Sequence, residues 1–382
     1  MNTLVINAGS TTLKFKLFDH EYNTLLGGLL ENDQGEFVFK LDKDGERHKW
    51  EIGAEGFIKA PELVLKEIGN HAIDRIGFRI VHGGEKYTKP VQINDTVLED
   101  LEKLNDLAPL HNPPALKRIS EFRALLPDTE IFGVFDTAFH TTMPDKAYIY
   151  AIPYEFYEKY GVRRFGFHGT SHKYVSEIFH ELEPNARKVI SCHLGGGASI
   201  TAIRNGKSID TSMGFTPLEG LIMATRPGDI DDGAIHYLMD KMHMSVKDMQ
   251  KIENTYSGLL GISGETSDMR TLLELEEKGH KRATLAINMY IYRIQKYIGS
   301  YAAALGGIDG LIFTAGIGQG SDVIRARIVE SLEYLGLKVN SDINNDKINV
   351  SENLKISTDD SHAIWVIPTN EELQIAEEIR SL

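Results

Sequence analysis

Five charged or ionisable side chains in this sequence stand beside small residues or turns, in settings suited to gripping an anion: Arg79 in FRIVHGGE, Asp136 in VFDTAFH, His168 in FGFHGTSH, Arg226 in TRPGD and Glu371 in TNEE. Arginine presents a planar fork of donors that clamps a carboxylate or a phosphoryl group, although a surface ion pair is its commoner fate. Asp136 follows an apolar strand and suits either a metal or nucleophile role or the capping of the next turn. Spacing alone leaves these alternatives open. His168 and His172 are spaced like two metal ligands on one helical turn, but no glutamate follows the first as zinc peptidases require. We therefore read His172 as the start of a helix whose apolar face continues through Val175, Ile178 and Phe179, and keep His168 as the site candidate.

Three glycine-rich turns, NAGSTT, HLGGGAS and TAGIGQGS, would let backbone N–H groups approach phosphate oxygens, and the third leads into a helix whose N-terminus favours an anion. Three such turns suggest a polyphosphate. Each by itself also serves as an ordinary strand connection. Two standard fingerprints fail: Gly206, Lys207 and Ser208 end like a P-loop but Thr201 stands at its first glycine, and GIGQGS has Ser321 where a dinucleotide fold needs its last glycine.

Strands are predicted at Thr3 to Asn7, Leu13 to Asp19, Ile131 to Phe135, Lys188 to His193, Ser199 to Arg204, Leu311 to Thr314 and Ala363 to Pro368. In LKFKLF, Leu13, Phe15 and Leu17 share one strand face and Lys14 and Lys16 the other, as in a half-buried strand. The opening hairpin around AGSTT has a counterpart in VISCHLGGGASITAIRNGKSID, which hints at two related lobes. Helices are expected from His280 to Ala304, from Asp322 to Leu335 and at the C-terminus, the last begun by a capping box of Thr369 and Glu372. Strands alternating with helices give an α/β chain, and the lobe boundary is placed near DTAFHTTMP.

At 382 residues the chain exceeds what one core usually organises, so two domains are expected. Hydrophobic residues at 42% and charged residues at 25% exclude a disordered chain. A formal charge of -14 argues against nucleic acid and anionic membranes as partners, so an anionic substrate must meet local positive charge. The N-terminal stretch lacks a basic region and a long apolar run, and a single cysteine, Cys192, fits a reducing compartment; a cytoplasmic protein is expected. The apolar stretch from Ile298 to Gly318 contains Asp309 and several glycines, and reads as core rather than a membrane helix.

Taken in order, NAGSTTLKFKLFD, RIVHGGEKY, LAPLHNPP, VFDTAFHTTMP, RRFGFHGTSHKYV, HLGGGASI, GKSIDTSMGFTPLEGL, TRPGDID, SGLLGISGETSDMR, FTAGIG and TNEELQIA resemble the acetate kinase family, within the superfamily of acetate and sugar kinases, actin and heat-shock chaperones. The resemblance runs from end to end. It implies two ribonuclease H-like (actin-like ATPase) lobes with a central active-site cleft, residues 1–140 plus 370–382 forming the first and 141–369 the second, the latter with the nucleotide site and a homodimer interface. It also implies reversible transfer of a phosphoryl group from ATP to acetate, giving ADP and acetyl phosphate, with Mg²⁺ as cofactor and Mn²⁺ as an alternative ion.

Residue by residue, the resemblance assigns Asn7, Ser10, Thr12 and Lys14 to the first phosphate-binding hairpin, and His193, Gly195, Gly196, Gly197, Gly316, Ile317 and Gly318 to the nucleotide phosphates. Arg79 and Arg226 match the arginines of the acyl and transferring phosphoryl groups, Asp136 a catalytic, metal-organising acid, and Asn7 and Glu371 the metal site. His168 matches the histidine that stabilises the phosphoryl group in transit, with His111 in support. Val81, Leu110, Phe167 and Pro217 match the pocket for the acyl methyl. Gly196 replaces the family's usual asparagine, Gln319 and Gly320 its usual glutamate and asparagine, and Phe78 its usual histidine. These departures bear on the phosphoryl donor and leave pyrophosphate as an alternative to ATP. Propionate or butyrate is the alternative acceptor, since one methylene is worth about 1 to 3 kcal/mol of discrimination. A non-catalytic nucleotide clamp is the rival from another class; it has no need of Arg79, Arg226 and His168 together.

Overall fold

The structure is a computed structural model that describes residues 1–9, 11–33, 35–105, 107–108, 111–345, 351–380 and 382. The chain divides into two compact units, Met1–Ala138 with Asn370–Leu382, and Phe139–Thr369.

Unit 1 is built on eight strands: β1 (Thr3–Ala8), β2 (Thr12–Phe18), β3 (Thr24–Asp33), β4 (Glu36–Lys43), β5 (Glu46–Glu51), β6 (Arg75–Ile80), β7 (Val91–Gln92) and β8 (Glu130–Phe135). Their order across the sheet is β5-β4-β3-β2-β1-β6-β8-β7. The period-two pattern of β2 acts as expected, with Leu13, Phe15 and Leu17 buried and Lys14 exposed. These side chains join one core with Phe39, Phe78 and Phe122. On the opposite face the helix Glu371–Arg380 lays Ile375, Ala376 and Ile379 against Val5, Phe18, Phe132 and Val134. Gly77, in the middle of β6, is what allows that approach, since a Cβ there would stand 2.7 Å from Ile375 Cγ2.

The helix Glu371–Arg380 does not start as its sequence predicts. Asn370 is the cap, its Oδ1 accepting from the Leu373 N–H at 3.3 Å. Glu372 is instead nearly fully buried and ion-paired with Lys14 Nζ at 2.7 Å and Lys16 Nζ at 3.5 Å. Two lysines on the neighbouring strand outcompete a local backbone N–H for this carboxylate, because charge-assisted bonds are about twice as strong as neutral ones.

Unit 2 has six strands: β9 (Lys188–Leu194), β10 (Ala198–Arg204), β11 (Lys207–Thr211), β12 (Gly310–Thr314), β13 (Leu354–Lys355) and β14 (Ala363–Val366), in the order β11-β10-β9-β12-β14-β13. The long helix Lys281–Leu305 buries Ile287, Tyr290, Ile294 and Ile298 along one side. The helix predicted from Asp322 to Leu335 stops at Glu330, and a separate 3₁₀ turn covers Glu333–Leu335. The third glycine turn is itself a short helix, Ala315–Gly320, and it leads, as expected, into the helix Asp322–Glu330, which Ser321 caps.

The two sheets repeat one plan. In unit 1, β3, β2 and β1 run antiparallel in series, and β1, β6 and β8 then run parallel. In unit 2, β11, β10 and β9 run antiparallel, and β9, β12 and β14 run parallel. The first hairpin in each unit carries glycine at its tip, Gly9 in unit 1 and Gly195 to Gly197 in unit 2, and the parallel strands end beside it. Ligands of parallel α/β sheets bind beyond these carboxyl ends, because side chains from separate segments meet there. Among the described residues no helix is long and apolar enough to cross a membrane.

Candidate active site

In unit 1 the ends of β1, β6 and β8 are held level by their ladders: Asn7 pairs with Arg79 across β1 and β6, and Arg79 with Val134 across β6 and β8. Asp136 comes directly after β8. Its carboxylate takes two bonds from Arg79, from Nε at 3.0 Å and from Nη2 at 2.5 Å, while Arg79 Nη1 donates to Asn7 Oδ1 at 3.2 Å. Glu371 Oε2 lies 3.8 Å from Arg79 Nε. Burial opposes the charge on Arg79, but Asp136 and Glu371 outweigh it and hold the guanidinium pKa above its usual value. Glu371 is shifted upward, by burial first and by Asp136 and Glu372 beside it, against the pull of Arg79 and Lys14. Beneath this cluster the buried Asn112, at the start of the helix Asn112–Leu125, clamps the turn after β6: its amide accepts from the His82 N–H at 3.1 Å and donates to the His82 carbonyl at 3.0 Å.

In unit 2 the glycine turn Gly195 to Gly197 joins β9 to β10, and Ala224 N–H donates to Gly196 O at 3.0 Å, tying in the loop that carries Arg226. Arg226 Nη1 donates to Pro217 O at 2.9 Å. Burial holds the Arg226 pKa below its ordinary value. No carboxylate among the described residues lies within ion-pairing distance of it. The imidazoles of His168 and His193 stack with centroids 4.1 Å apart and planes 19° from parallel. A Cβ built on Gly197 would lie 3.4 Å from His168 Nε2 and 3.5 Å from Arg226 Nη2, so the turn, the imidazole edge and the guanidinium border one small volume.

Hydrogen bonds fix both rings. His193 Nδ1 lies 2.8 Å from Ser171 Oγ, which donates to Thr369 Oγ1 at 2.8 Å. The single Ser171 proton is thus committed to Thr369, and Ser171 accepts from Nδ1–H of His193. His168 Nδ1 lies 2.9 Å from Ser199 Oγ, and the same oxygen is 2.7 Å from Nε2 of the fully buried His172, whose Nδ1 meets Ser191 Oγ at 2.9 Å. Burial, reinforced by His140 and His193, pushes the His172 pKa well below its usual value, so that ring is neutral. His168 also has a left-handed backbone, φ 56° and ψ 22°, at the entrance to the helix Gly169–Leu182. Such a conformation persists in a residue other than glycine where its surroundings over-determine it, and functional sites collect them.

The profile of the acetokinase family matches residues 2–377. The chain belongs to the acetokinase family. It is 48% identical over 395 residues to the acetate kinase of Dictyoglomus thermophilum, covering 99% of this chain and 98% of that one. Among solved structures it is similar to the acetate kinase of Porphyromonas gingivalis, at 39% identity, TM-score 0.91 and coverage of 100% and 99%. It is equally similar to a propionate kinase from Francisella tularensis, at 40% identity, TM-score 0.92 and coverage of 99% and 98%.

Of the residues expected in an acetokinase site, Asn7, Arg79, Asp136 and Glu371 are brought together in unit 1, and His168, His193, Arg226, Pro217 and Gly195 to Gly197 in unit 2. Thr12 is exposed at the start of β2 and its carbonyl accepts from Gly9 N–H at 2.8 Å. Lys14 is committed to Glu372. His111 stands at the residue before the helix Asn112–Leu125, without a side-chain capping bond, and Val81 is half-buried just after β6. The Phe167 ring is 2% exposed, and its carbonyl is 3.0 Å from Nε2 of the buried His140. Gly316, Ile317 and Gly318 lie in the helix Ala315–Gly320, which Arg325 braces by donating to the carbonyls of Gly318 at 2.9 Å and Gln319 at 2.6 Å. Ser10 and Leu110 lie outside the described residues.

Sequence reasoning missed Ser199, Ser171 and Thr369. A signal for the first existed: a hairpin closed on the three glycines puts Ser199 opposite His193, as β9 and β10 do. His172, read as structural, is buried as expected but serves as the far anchor of His168. The zinc reading finds no support, since no cluster of three or more suitable ligands exists among the described residues. In unit 1 the oxygens of Asn7, Asp136 and Glu371 form a hard-oxygen donor set compatible with a magnesium ion that keeps most of its water shell, not with a closed protein cage.

Proposed function

We propose that this chain is an acetate kinase, a phosphotransferase that moves a phosphoryl group between ATP and acetate. The observation that carries the reading is Arg226: a half-buried cation with no carboxylate partner among the described residues, beside a stacked histidine pair and a glycine turn. An arginine held this way has its charge to spend on an incoming anion, and the relatives of this chain are kinases of short acids.

In the forward direction an acetate oxygen attacks the terminal phosphorus, the bond to the bridging oxygen breaks, and its electron pair leaves with ADP. The carboxylate is already nucleophilic, so no strong base is needed and Asp136 serves to organise rather than to accept a proton. Arg226 neutralises the equatorial oxygens of the phosphoryl unit and His168 donates a hydrogen bond to them, backbone N–H groups of Gly195 to Gly197 cradle the nucleotide phosphates, and Arg79 orients the acid. Asn7, Asp136 and Glu371 would hold a hydrated Mg²⁺, which when bound supplies charge neutralisation for the phosphates. The family resemblance assigns Val81, Leu110, Phe167 and Pro217 to the acyl group. A cytoplasmic homodimer is the expected form.

The test is acyl phosphate formation by the purified protein, trapped with hydroxylamine, using ATP, GTP and pyrophosphate against acetate, propionate and butyrate. We expect the highest kcat/KM with ATP and acetate. Propionate is the acceptor to compare most closely, given the similarity to a propionate kinase. Absence of acyl phosphate with every pair would sink the reading.

A further inference from the structure

We infer that Ser199 is a positioning residue that fixes the His168 imidazole with its proton on Nε2, facing Gly197 and Arg226, so that His168 donates a hydrogen bond to the phosphoryl oxygens without needing to be protonated. This rests on the phosphotransferase reading, and the closing experiment separates the two.

A neutral imidazole has one N–H and one lone pair, and the partner of one nitrogen decides what the other can offer. Ser199 Oγ is fully buried and has one proton to share between His168 Nδ1 at 2.9 Å and His172 Nε2 at 2.7 Å. His172 is itself wedged between two serine hydroxyls, Ser199 and Ser191. If His172 donates from Nε2, Ser199 receives that bond and gives its own proton to Nδ1 of His168. Nδ1 then carries a lone pair and Nε2 carries the hydrogen. The opposite polarity would leave a lone pair at His168 Nε2, aimed at the space where an anion has to sit, which would repel the oxygens it should stabilise.

The second imidazole of the stack makes the arrangement selective. His193 is set to the other tautomer, because Ser171 passes its proton on to Thr369 and leaves a lone pair for Nδ1–H. Two parallel rings 4.1 Å apart thus present opposite hydrogen-bonding edges, a donor from His168 and an acceptor from His193. The serine behind each ring sets which is which. Ser199 reaches no substrate in this scheme; it acts through His168.

Three measurements test the relay on the full-length enzyme. Ser199→Ala should lower kcat by roughly 10- to 100-fold, the usual scale for losing an outer group that orients an imidazole, while KM for ATP and acetate stays within about twofold. Ser199→Thr, which restores the hydroxyl, should recover most of the loss. Histidine ¹⁵N spectra of the wild type, with His168 assigned by its absence in His168→Gln, should show a bare Nδ1 and a hydrogen-bearing Nε2. Wild-type kcat in Ser199→Ala overturns the inference, and so does a proton on Nδ1 with Nε2 bare. Should Ser199→Ala fail to fold, the wild-type spectrum decides alone. An inactive wild type would instead sink the kinase reading.

Discussion

Arg79 and Arg226 are both shielded from water, yet they meet opposite electrostatic surroundings. Arg79 is held by a bidentate carboxylate, an amide oxygen and a second carboxylate, and its charge is spent within unit 1. Arg226 has a backbone carbonyl and burial that works against its charge. The two sheets share one plan, so the contrast does not come from the fold. It comes from where each arginine sits: Arg79 lies on β6 beside the aspartate that directly follows β8, whereas Arg226 lies on a loop tied to the glycine turn, where the Pro217 carbonyl is its hydrogen-bond partner. One arginine is built into its scaffold, while the other, in the function proposed above, meets a ligand. A neutralised guanidinium suits orienting a carboxylate substrate that arrives with its own charge; an uncompensated one suits stabilising charge that grows during transfer.

The sharpest way to break this comparison is to remove one partner from each side. Asp136→Ala leaves Arg79 buried with only the more distant Glu371, so we expect a loss of about 3 kcal/mol or more in unfolding free energy, measured by urea titration. A loss under about 1 kcal/mol would mean that the pair is not integral to unit 1. Arg226→Ala removes a half-buried cation that has no carboxylate to abandon among the described residues. Its melting temperature should stay within a few degrees of the wild type, while kcat falls by roughly 10² to 10³, the range for deleting one preorganised donor to transition-state charge. Near-normal turnover would strip Arg226 of its assigned role.

This asymmetry explains which parts of the molecule were readable in the sequence. Strands β1, β2, β9, β10 and β12 announce themselves through apolar runs and alternation that burial enforces. Strands β3 to β5 do not: LLGGLLEND holds a glycine pair and no clean alternation, and ERHKWE is charged because β5 is an edge strand exposed along nearly its whole length. Arg79, Asp136, His168 and Arg226 could be picked out by residue type and setting, but their partners could not. Whether Asp136 caps a turn or grips Arg79 depends on the register between β6 and β8, with the two residues 57 positions apart in sequence. Glu372 shows the same limit from the other side, since a correct local capping pattern loses to two lysines at the far end of the chain. Ser199 was hidden for a different reason: a serine in an apolar strand carries no mark until the helix Gly169–Leu182 brings His172, and His168 at its entrance, to the hydroxyl.

A smaller effect tests whether buried histidines behave alike in both units. Burial pushes His82 of unit 1 down to about 4 and His172 of unit 2 well below its ordinary value. Each binds a proton more readily when unfolded, where its pKa is near 6.5, so protons favour the unfolded chain in the window below that value. Stability present above about pH 6.5 should fall as the solution is acidified toward pH 4, by up to about 1.4 kcal/mol per pH unit for each histidine. Urea midpoints at pH 7, 6 and 5 measure the slope, and His82→Gln should make it shallower. An unchanged slope would assign the acid sensitivity to unit 2 alone.

The mildest change addresses the glycine turn that the proposed function assigns to the nucleotide phosphates. Gly196 is exposed at the tip of its turn, nothing lies within 4 Å of the Cβ it lacks, and its backbone is outside the left-handed region, so Gly196→Asn introduces an amide without a clash. If that amide reaches a nucleotide phosphate, one added hydrogen bond is worth about 0.5 to 1.5 kcal/mol, a tightening of roughly 2- to 10-fold in the Kd for ADP by calorimetry. The effect should be confined to nucleotides, with pyrophosphate turnover and KM for acetate unmoved, because the substitution adds reach and leaves Arg226 and His168 where they are. A tightening shared equally by pyrophosphate would place the new contact on the phosphates common to both donors. An unchanged Kd would show that the backbone of Gly195 to Gly197 and the braced helix Ala315–Gly320 already meet the nucleotide without a side chain at this position.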